Sequence, residues 1–161
     1  MQLRTFGIFG LSLAAVVLVA CSEGPPTQGQ AVDFASVCDK ANDGHRVAVE
    51  GYLRLPDQIE VFKSRSGSVD EEIVVVRLFQ SKKFDGTPVG VNFDFGTGPN
   101  TMDQIPGEYV FSDSDLKVHR ADGEIAGFGD PVKISGTVYF PTSLSDVEFT
   151  CALSNPLVEG V

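Results

Sequence analysis

Apolar and polar residues alternate with a period of two in several segments of the chain, which is the spacing of strands with one buried face. In the clearest case Val47, Val49 and Leu53 share a face with Gly51. Such alternation and β-branched content predict strands at Arg46–Leu55, Ile73–Phe79, Val89–Phe95, Val132–Phe140 and Val147–Leu153.

One segment has helical spacing instead. Val32–Asn42 places its apolar residues near one face and ends at Asp43-Gly44, as short helices do. Gly51 and Gly136 lie inside predicted strands, where glycine indicates a bend or bulge. Short strands with one small helix predict an all-β fold, a barrel or a sandwich, with one short N-terminal helix. An immunoglobulin-like β-sandwich is the alternative, although the chain has no Trp.

The first residues form an apolar run with a different character. Phe6–Leu18 follows the basic Arg4 and is shorter than the about 20 apolar residues of a spanning helix. This pattern predicts a signal peptide over residues 1–20, with a buried helix or an ordinary secretion signal as alternatives. The polar, Pro- and Gly-rich residues that follow predict a flexible tether over 21–30, ahead of one domain over 31–161.

The end of the apolar run, Leu18-Val19-Ala20-Cys21, resembles the lipobox of bacterial lipoproteins. The resemblance implies cleavage between Ala20 and Cys21 and a diacylglycerol on the Cys21 thiol. More than one acyl chain gives stable membrane anchoring. Ser22, a residue other than Asp after the cysteine, implies an outer-membrane lipoprotein that faces the periplasm.

The chain has three cysteines. With Cys21 lipidated, Cys38 and Cys151 remain as an even pair in an oxidising compartment, and we predict that they form a disulfide. Two free thiols are the alternative. We predict no metal site and no cofactor, because the cysteines lack CxxC spacing and the two histidines, His45 and His119, are isolated.

Two glycine-containing patterns, Gly44–Gly51 and Gly129–Val138, resemble the first and closing strands of extracytoplasmic OB-fold domains. The tail at Glu148–Glu159, with a cysteine and then Asn-Pro, is similar to that of some secreted members. The resemblance covers Val32–Glu159 and implies a small OB-fold-like barrel of five to six strands. The short helix would flank its mouth, with Cys38 linked to the last strand.

Charge disfavours some partners. The chain has 22 acidic and 12 basic residues and a net charge of −10, which disfavours nucleic acid and anionic lipid surfaces. No nucleophile–base motif is present, and the glycine-rich Gly96–Asn100 lacks the lysine of a phosphate loop. The acidic Asp70–Glu72 and the Asp113/Asp115 pair are expected in solvated turns.

We therefore expect a non-catalytic binding or scaffold module of the cell envelope, with an envelope protein or glycan as partner and no nucleic acid. Its expected contact region follows the first strand and contains Phe62, Lys63 and Arg65. Two alternatives remain: a small-ligand or cation carrier with a pocket at the barrel mouth, and a glycan-acting enzyme with paired carboxylates.

Overall fold

The structure is a computed structural model that describes residues 25–59, 61–66, 69–105, 111–142 and 149–161; of 61–66 and 69–71 it describes the backbone alone. Nine strands are assigned in these ranges: β1 (Gln30–Ala31), β2 (Arg46–Arg54), β3 (Val61–Ser66), β4 (Val69–Phe79), β5 (Val89–Asp94), β6 (Val118–His119), β7 (Ile125–Ala126), β8 (Pro131–Tyr139) and β9 (Ala152–Gly160). Single 3-10 turns occur at Phe34–Ser36, Lys40–Asn42 and Asp113–Asp115.

Five of the strands close into a barrel. Around the barrel β2 pairs with β8, β8 with β9, β9 with β5, β5 with β4, and β4 again with β2. All these pairs are antiparallel except β5 with β9, which is parallel. The prediction of a small β-barrel is confirmed, and the sandwich alternative is wrong, because closure of one sheet leaves no second facing sheet.

The barrel interior follows the predicted alternation. The inward-facing side chains are aliphatic with one phenylalanine, and each is at most 3 % exposed. They are Val47, Val49, Leu53, Val74, Val76, Leu78, Val89, Val91, Phe93, Val132, Ile134, Val138, Leu153 and Val158. Because successive side chains of a strand point to opposite faces, the residues between these positions lie on the outside of the barrel wall.

Different chain segments pack at the two ends of the barrel. The segment before β2 places the fully buried Val37 in the core. The predicted helix is present there as two separate 3-10 turns, since Asp39 between them is extended (φ −67°, ψ 137°). The connection from β5 to β8 contributes Met102, Leu116 and Val118 to the same core, each at most 1 % exposed.

The predicted disulfide between Cys38 and Cys151 is confirmed. The two Cα atoms lie 5.4 Å apart and are separated by 113 positions in the chain. Cys151 is fully buried. The bridge therefore ties the segment before β2 to the start of β9, on the barrel end that Val37 covers.

The bounds predicted for the last strand are wrong. The strand begins at Ala152, and it continues through Asn155 and Pro156 to Gly160. Ser135 pairs with Leu157 but Thr137 pairs with Ser154, so Asn155 and Pro156 together face the single residue Gly136. This β-bulge accommodates a proline inside a strand, because its missing N–H falls where the ladder is already interrupted.

Gly51 has the role predicted for it at a bend. A Cβ atom there would lie 2.5 Å from the backbone oxygen of Phe79. β2 leaves β8 and meets β4 near this point. The close approach of the two backbones therefore requires a residue without a side chain.

Candidate functional site

The predicted contact residues Phe62, Lys63 and Arg65 lie on β3, which extends from the barrel as a hairpin with β4. In that register Lys63 is opposite Glu72 and Arg65 is opposite Asp70. The side chains of β3 lie outside the described structure, so binding by these three residues stays a prediction.

The predicted lipidation and cleavage residues, Ala20 and Cys21, lie outside the described residues. The described part of the predicted tether contacts the barrel. Gln28 donates a hydrogen bond of 2.9 Å to Glu159, and β1 pairs in parallel with β2.

A surface concavity lies where the pairing of β5 with β9 ends. These two strands pair at Gly90 with Ala152 and at Val91 with Leu153. These two pairs are the only ones assigned between the described parts of β5 and β9, whereas β9 pairs with β8 on both sides of the bulge. The concavity is lined by residues of β5 and β9 beyond this pairing, Asn92, Asp94 and Ser154–Pro156.

A loop strap at Pro99–Thr101 also lines this concavity. The Asn100 side-chain oxygen accepts the backbone N–H of Val158 at 2.8 Å, and the Asn100 N–H donates to the His119 carbonyl at 2.7 Å. The Thr101 hydroxyl donates to the Gly98 carbonyl at 2.7 Å. Asn100 has a φ of 64°, a left-handed conformation that Asn tolerates better than most residues. These hydrogen bonds hold the strap in place.

The resulting groove has a volume of about 420 Å³, within the range of about 300–1,000 Å³ for small-molecule sites. Its side chains fall into three kinds. Prolines form rigid apolar parts of the rim: Pro26, Pro99 and Pro156. Neutral hydrogen-bonding side chains form most of the rest: Asn92, Asn100, Thr101, Ser154 and Asn155. Ile73 and one carboxylate, Asp94, complete the lining.

The same wall is covered by Phe149 beyond the groove. Small residues, Gly90 and Ala152, leave a trough there, and a Cβ on Gly90 would lie 3.0 Å from the Phe149 ring. The Arg77 guanidinium lies 4.6 Å from the centre of that ring, a cation–π contact, and Arg77 is 8 % exposed. Phe149 therefore packs in a small cluster with Val75, Ala152 and Tyr139.

Tyr139, which packs against this cluster, orients the amide of Asn92 in the groove lining. The Tyr139 hydroxyl donates to the Asn92 side-chain oxygen at 2.9 Å. Burial raises the pKa of Tyr139 above its usual value, so the phenol stays protonated as a donor. This hydrogen bond leaves the NH₂ group of Asn92 as its donor.

The groove has the chemistry of a binding site. Its described lining includes one carboxylate, Asp94, whereas glycoside hydrolysis by the usual mechanism requires two. The two histidines are elsewhere: His45 is exposed before β2, and His119 pairs with Asp103 at 2.7 Å. No group of three or more potential metal ligands occurs among the described residues. Most of the polar side chains in the described lining of the groove are therefore neutral hydrogen-bond donors and acceptors.

The sequence analysis missed the groove residues. It interpreted Gly96–Asn100 as a turn and the Asn-Pro at 155–156 as part of a tail. A signal was nevertheless present, since both segments contain an Asn beside a Pro. Among the described residues, Asn100 and Asn155 are two of the three non-glycine positions with a positive φ, the third being Phe84.

Comparisons with known proteins add no assignment. The chain matches no protein-family model, no curated protein and no solved structure. In the part of the chain that is described, no helix has the length and apolar character needed to cross a membrane.

Proposed function

We propose that the protein is a lipid-anchored, non-catalytic binding module of the bacterial cell envelope. The groove between β5 and β9 carries the binding part of this proposal, because its described lining consists mainly of neutral hydrogen-bonding side chains between rigid proline rims. The anchoring part is supported by the lipobox-like Leu18–Cys21. Acyl chains on Cys21 would hold an acidic domain at a membrane that its own surface charge repels.

The ligand class that suits the groove is a neutral saccharide. Amide and hydroxyl groups from Asn92, Thr101 and Ser154 match the mixed donors and acceptors of sugar hydroxyls. Asp94 adds a strong acceptor. The described lining contains no Lys or Arg, and the chain carries a net charge of −10, so an anionic ligand such as a nucleic acid is disfavoured.

Calorimetric titration of the full-length protein in detergent with chitohexaose, a neutral N-acetylglucosamine oligomer, tests the groove. Asn92→Ala and Asp94→Ala are each expected to weaken binding by about fivefold or more, because each removes a polar group that faces the ligand. Glu50→Ala is the matched control, since Glu50 is an exposed acidic residue on β2, away from β5 and β9. Equal affinities for all four proteins would place the ligand elsewhere.

Anchoring is tested separately with Cys21→Ala. The variant is expected to remain an unprocessed precursor and to incorporate no alkyne-tagged palmitate, whereas Ser22→Ala should be processed and labelled like the wild type. Palmitate labelling of Cys21→Ala would remove the lipobox interpretation and leave the groove assignment intact.

A further inference from the structure

Three phenylalanine rings form a stack on the outside of the barrel. Phe84 and Phe128 lie nearly parallel, with ring centres 4.8 Å apart and planes at 19°. Phe79, at the end of β4, meets Phe84 edge-on at 5.6 Å. Phe79 is 8 % exposed and Phe128 is 42 % exposed. The stack, which we call the Phe128 platform, thus has a buried base and a solvent-exposed outer ring.

The loop that carries Phe84 holds it in a costly conformation. Phe84 has a φ of 54°, and a bulky residue in the left-handed region is uncommon and destabilising. The other non-glycine residues with positive φ in the described chain are both Asn, which tolerates this region. This strained conformation places the Phe84 ring against the ring of Phe128. Strained backbone conformations cluster at functional sites.

Phe128 is presented at the tip of a tight turn. The Gly127 N–H donates to the Asp130 carboxylate at 2.9 Å, and the Asp130 N–H donates to the Gly127 carbonyl at 3.2 Å. Gly129 supplies the positive φ of 77° that the turn needs. Both outer rings are therefore fixed before any ligand arrives, which lowers the entropic cost of binding.

Cationic donors flank the platform. The Arg54 guanidinium lies 5.9 Å from the centre of the Phe84 ring, and ion pairs of 3.8 Å to Asp57 and 3.7 Å to Asp113 hold it there. The Lys82 side chain lies beside the Phe128 turn, since its Cε would be 3.5 Å from a Cβ on Gly129. Apolar ring and hydrogen-bond donors are thus side by side.

The platform is separate from the groove. Arg54 is on β2 and Phe79 is at the end of β4, where the two strands pair. β2 has β4 and β8 as its barrel neighbours and pairs with neither β5 nor β9. The groove is lined by none of the platform residues, and Ile73, its lining residue on β4, lies six positions before Phe79.

The size of the platform limits what it can hold. Among the described residues, the large hydrophobic side chains that are well exposed are Ile125, Phe128 and Val161. A stable protein interface needs about 800 Å² from each partner, far more than one ring face. The platform suits a single ring-sized group.

We propose that the Phe128 platform binds a pyranose ring of a glycan, as a second saccharide site. One face of such a ring carries polarised C–H groups, which meet the negative face of the Phe128 ring. The hydroxyl groups at the edge of the sugar accept hydrogen bonds from Arg54 and Lys82. The exposed outer ring supplies the stacking surface, and the two cations supply the polar contacts.

The absence of tryptophan from the chain provides a direct assay. Phe128→Trp keeps an aromatic platform and introduces a single indole as reporter. Titration of this full-length variant in detergent with chitohexaose is expected to give a saturable change in Trp emission. An unchanged emission spectrum at all chitohexaose concentrations would overturn the proposal.

Calorimetry in the Asn92→Ala/Asp94→Ala background separates the platform from the groove. There Phe128→Ser is expected to weaken the remaining binding by about fivefold or more, and Ile125→Ser, the matched exposed apolar control, is expected to leave it unchanged. Equal affinity after Phe128→Ser would reject the platform. A normal Trp response in the groove-deficient background would support the platform even if the groove binds nothing.

Discussion

Removal of the Cys38–Cys151 disulfide is expected to lower the free energy of unfolding by about 5 kcal/mol. The bridge joins positions separated by 113 residues, and the loop it closes contains four of the five barrel strands. The chain-entropy relation for a loop of this size gives about 4.8 kcal/mol at 25 °C. Since small domains have stabilities of about 5–15 kcal/mol, the bridge accounts for a large share of the total.

Two perturbations separate the cross-link from its packing. Reduction of the wild type after unfolding, followed by refolding with thiol present, opens the loop and keeps both sulfur atoms. Cys38→Ala/Cys151→Ala opens the same loop and also removes a sulfur at Cys151, which is fully buried. The double variant is therefore expected to have a free energy of unfolding about 1 kcal/mol below that of the reduced wild type. This difference is the cost of a small cavity.

Guanidinium unfolding followed by far-ultraviolet circular dichroism is the appropriate assay, since the chain contains no tryptophan to report on folding. The oxidised, reduced and double-alanine proteins are compared by extrapolated free energy and slope. Unfolding free energies of the oxidised and reduced proteins that agree to within about 1 kcal/mol would refute the loop-entropy reasoning. A deficit confined to the alanine variant would assign the effect to packing instead.

Three further predictions follow from individual residues. Gly51→Ala is expected to destabilise the barrel by about 1–3 kcal/mol, because its Cβ would lie 2.5 Å from a backbone oxygen, whereas Gly98→Ala, with nothing within 4 Å, is the neutral control in the same denaturation assay. Asn155→Gly is expected to raise the melting temperature slightly and Asn155→Ala to lower it, because this position has a φ of 50°. Burial raises the pKa of Tyr139 in the folded protein, so its contribution is complete below the unfolded pKa of 10.0 and is lost as the pH rises through the higher folded pKa. Tyr139→Phe also removes the hydrogen bond to Asn92, and it should flatten the decline in stability above pH 10.0; an identical decline in both proteins would assign it to other groups.

The interior of the barrel was predictable because strand alternation fixes which side chains share a face. Val47, Val49 and Leu53 are buried as their spacing requires, and Gly51 lies at a bend. The disulfide was predictable from the number of cysteines and the inferred compartment. The buried faces follow from the local sequence pattern, and the disulfide follows from composition. Neither inference requires knowledge of which strands are neighbours.

The groove was not predictable because it depends on pairing between distant strands. β5 and β9 lie about 60 residues apart in the chain and pair at two positions, and the groove lies where that pairing ends. The bounds of the last strand were wrongly predicted for the same reason. A proline usually ends a strand, but here a bulge opposite Gly136 of β8 accommodates Asn155 and Pro156. Likewise, no local pattern brings Phe84 and Phe128 from separate loops into one stack.

Contacts of the N-terminal segment limit how the domain can sit under the proposed lipid anchor. Pro26 lines the groove, the Thr27 carbonyl accepts a hydrogen bond from Arg46, and β1 follows directly on the barrel wall. Cys21 precedes Pro26 by five positions, and five residues span at most about 17–18 Å even when fully extended. With the proposed acyl chains on Cys21, the groove would lie close to the bilayer, because Pro26 is part of its lining. The Phe128 platform, where β2 pairs with β4, has no such link to the anchor. The same domain would thus offer one proposed saccharide site held near the membrane and a second that is not.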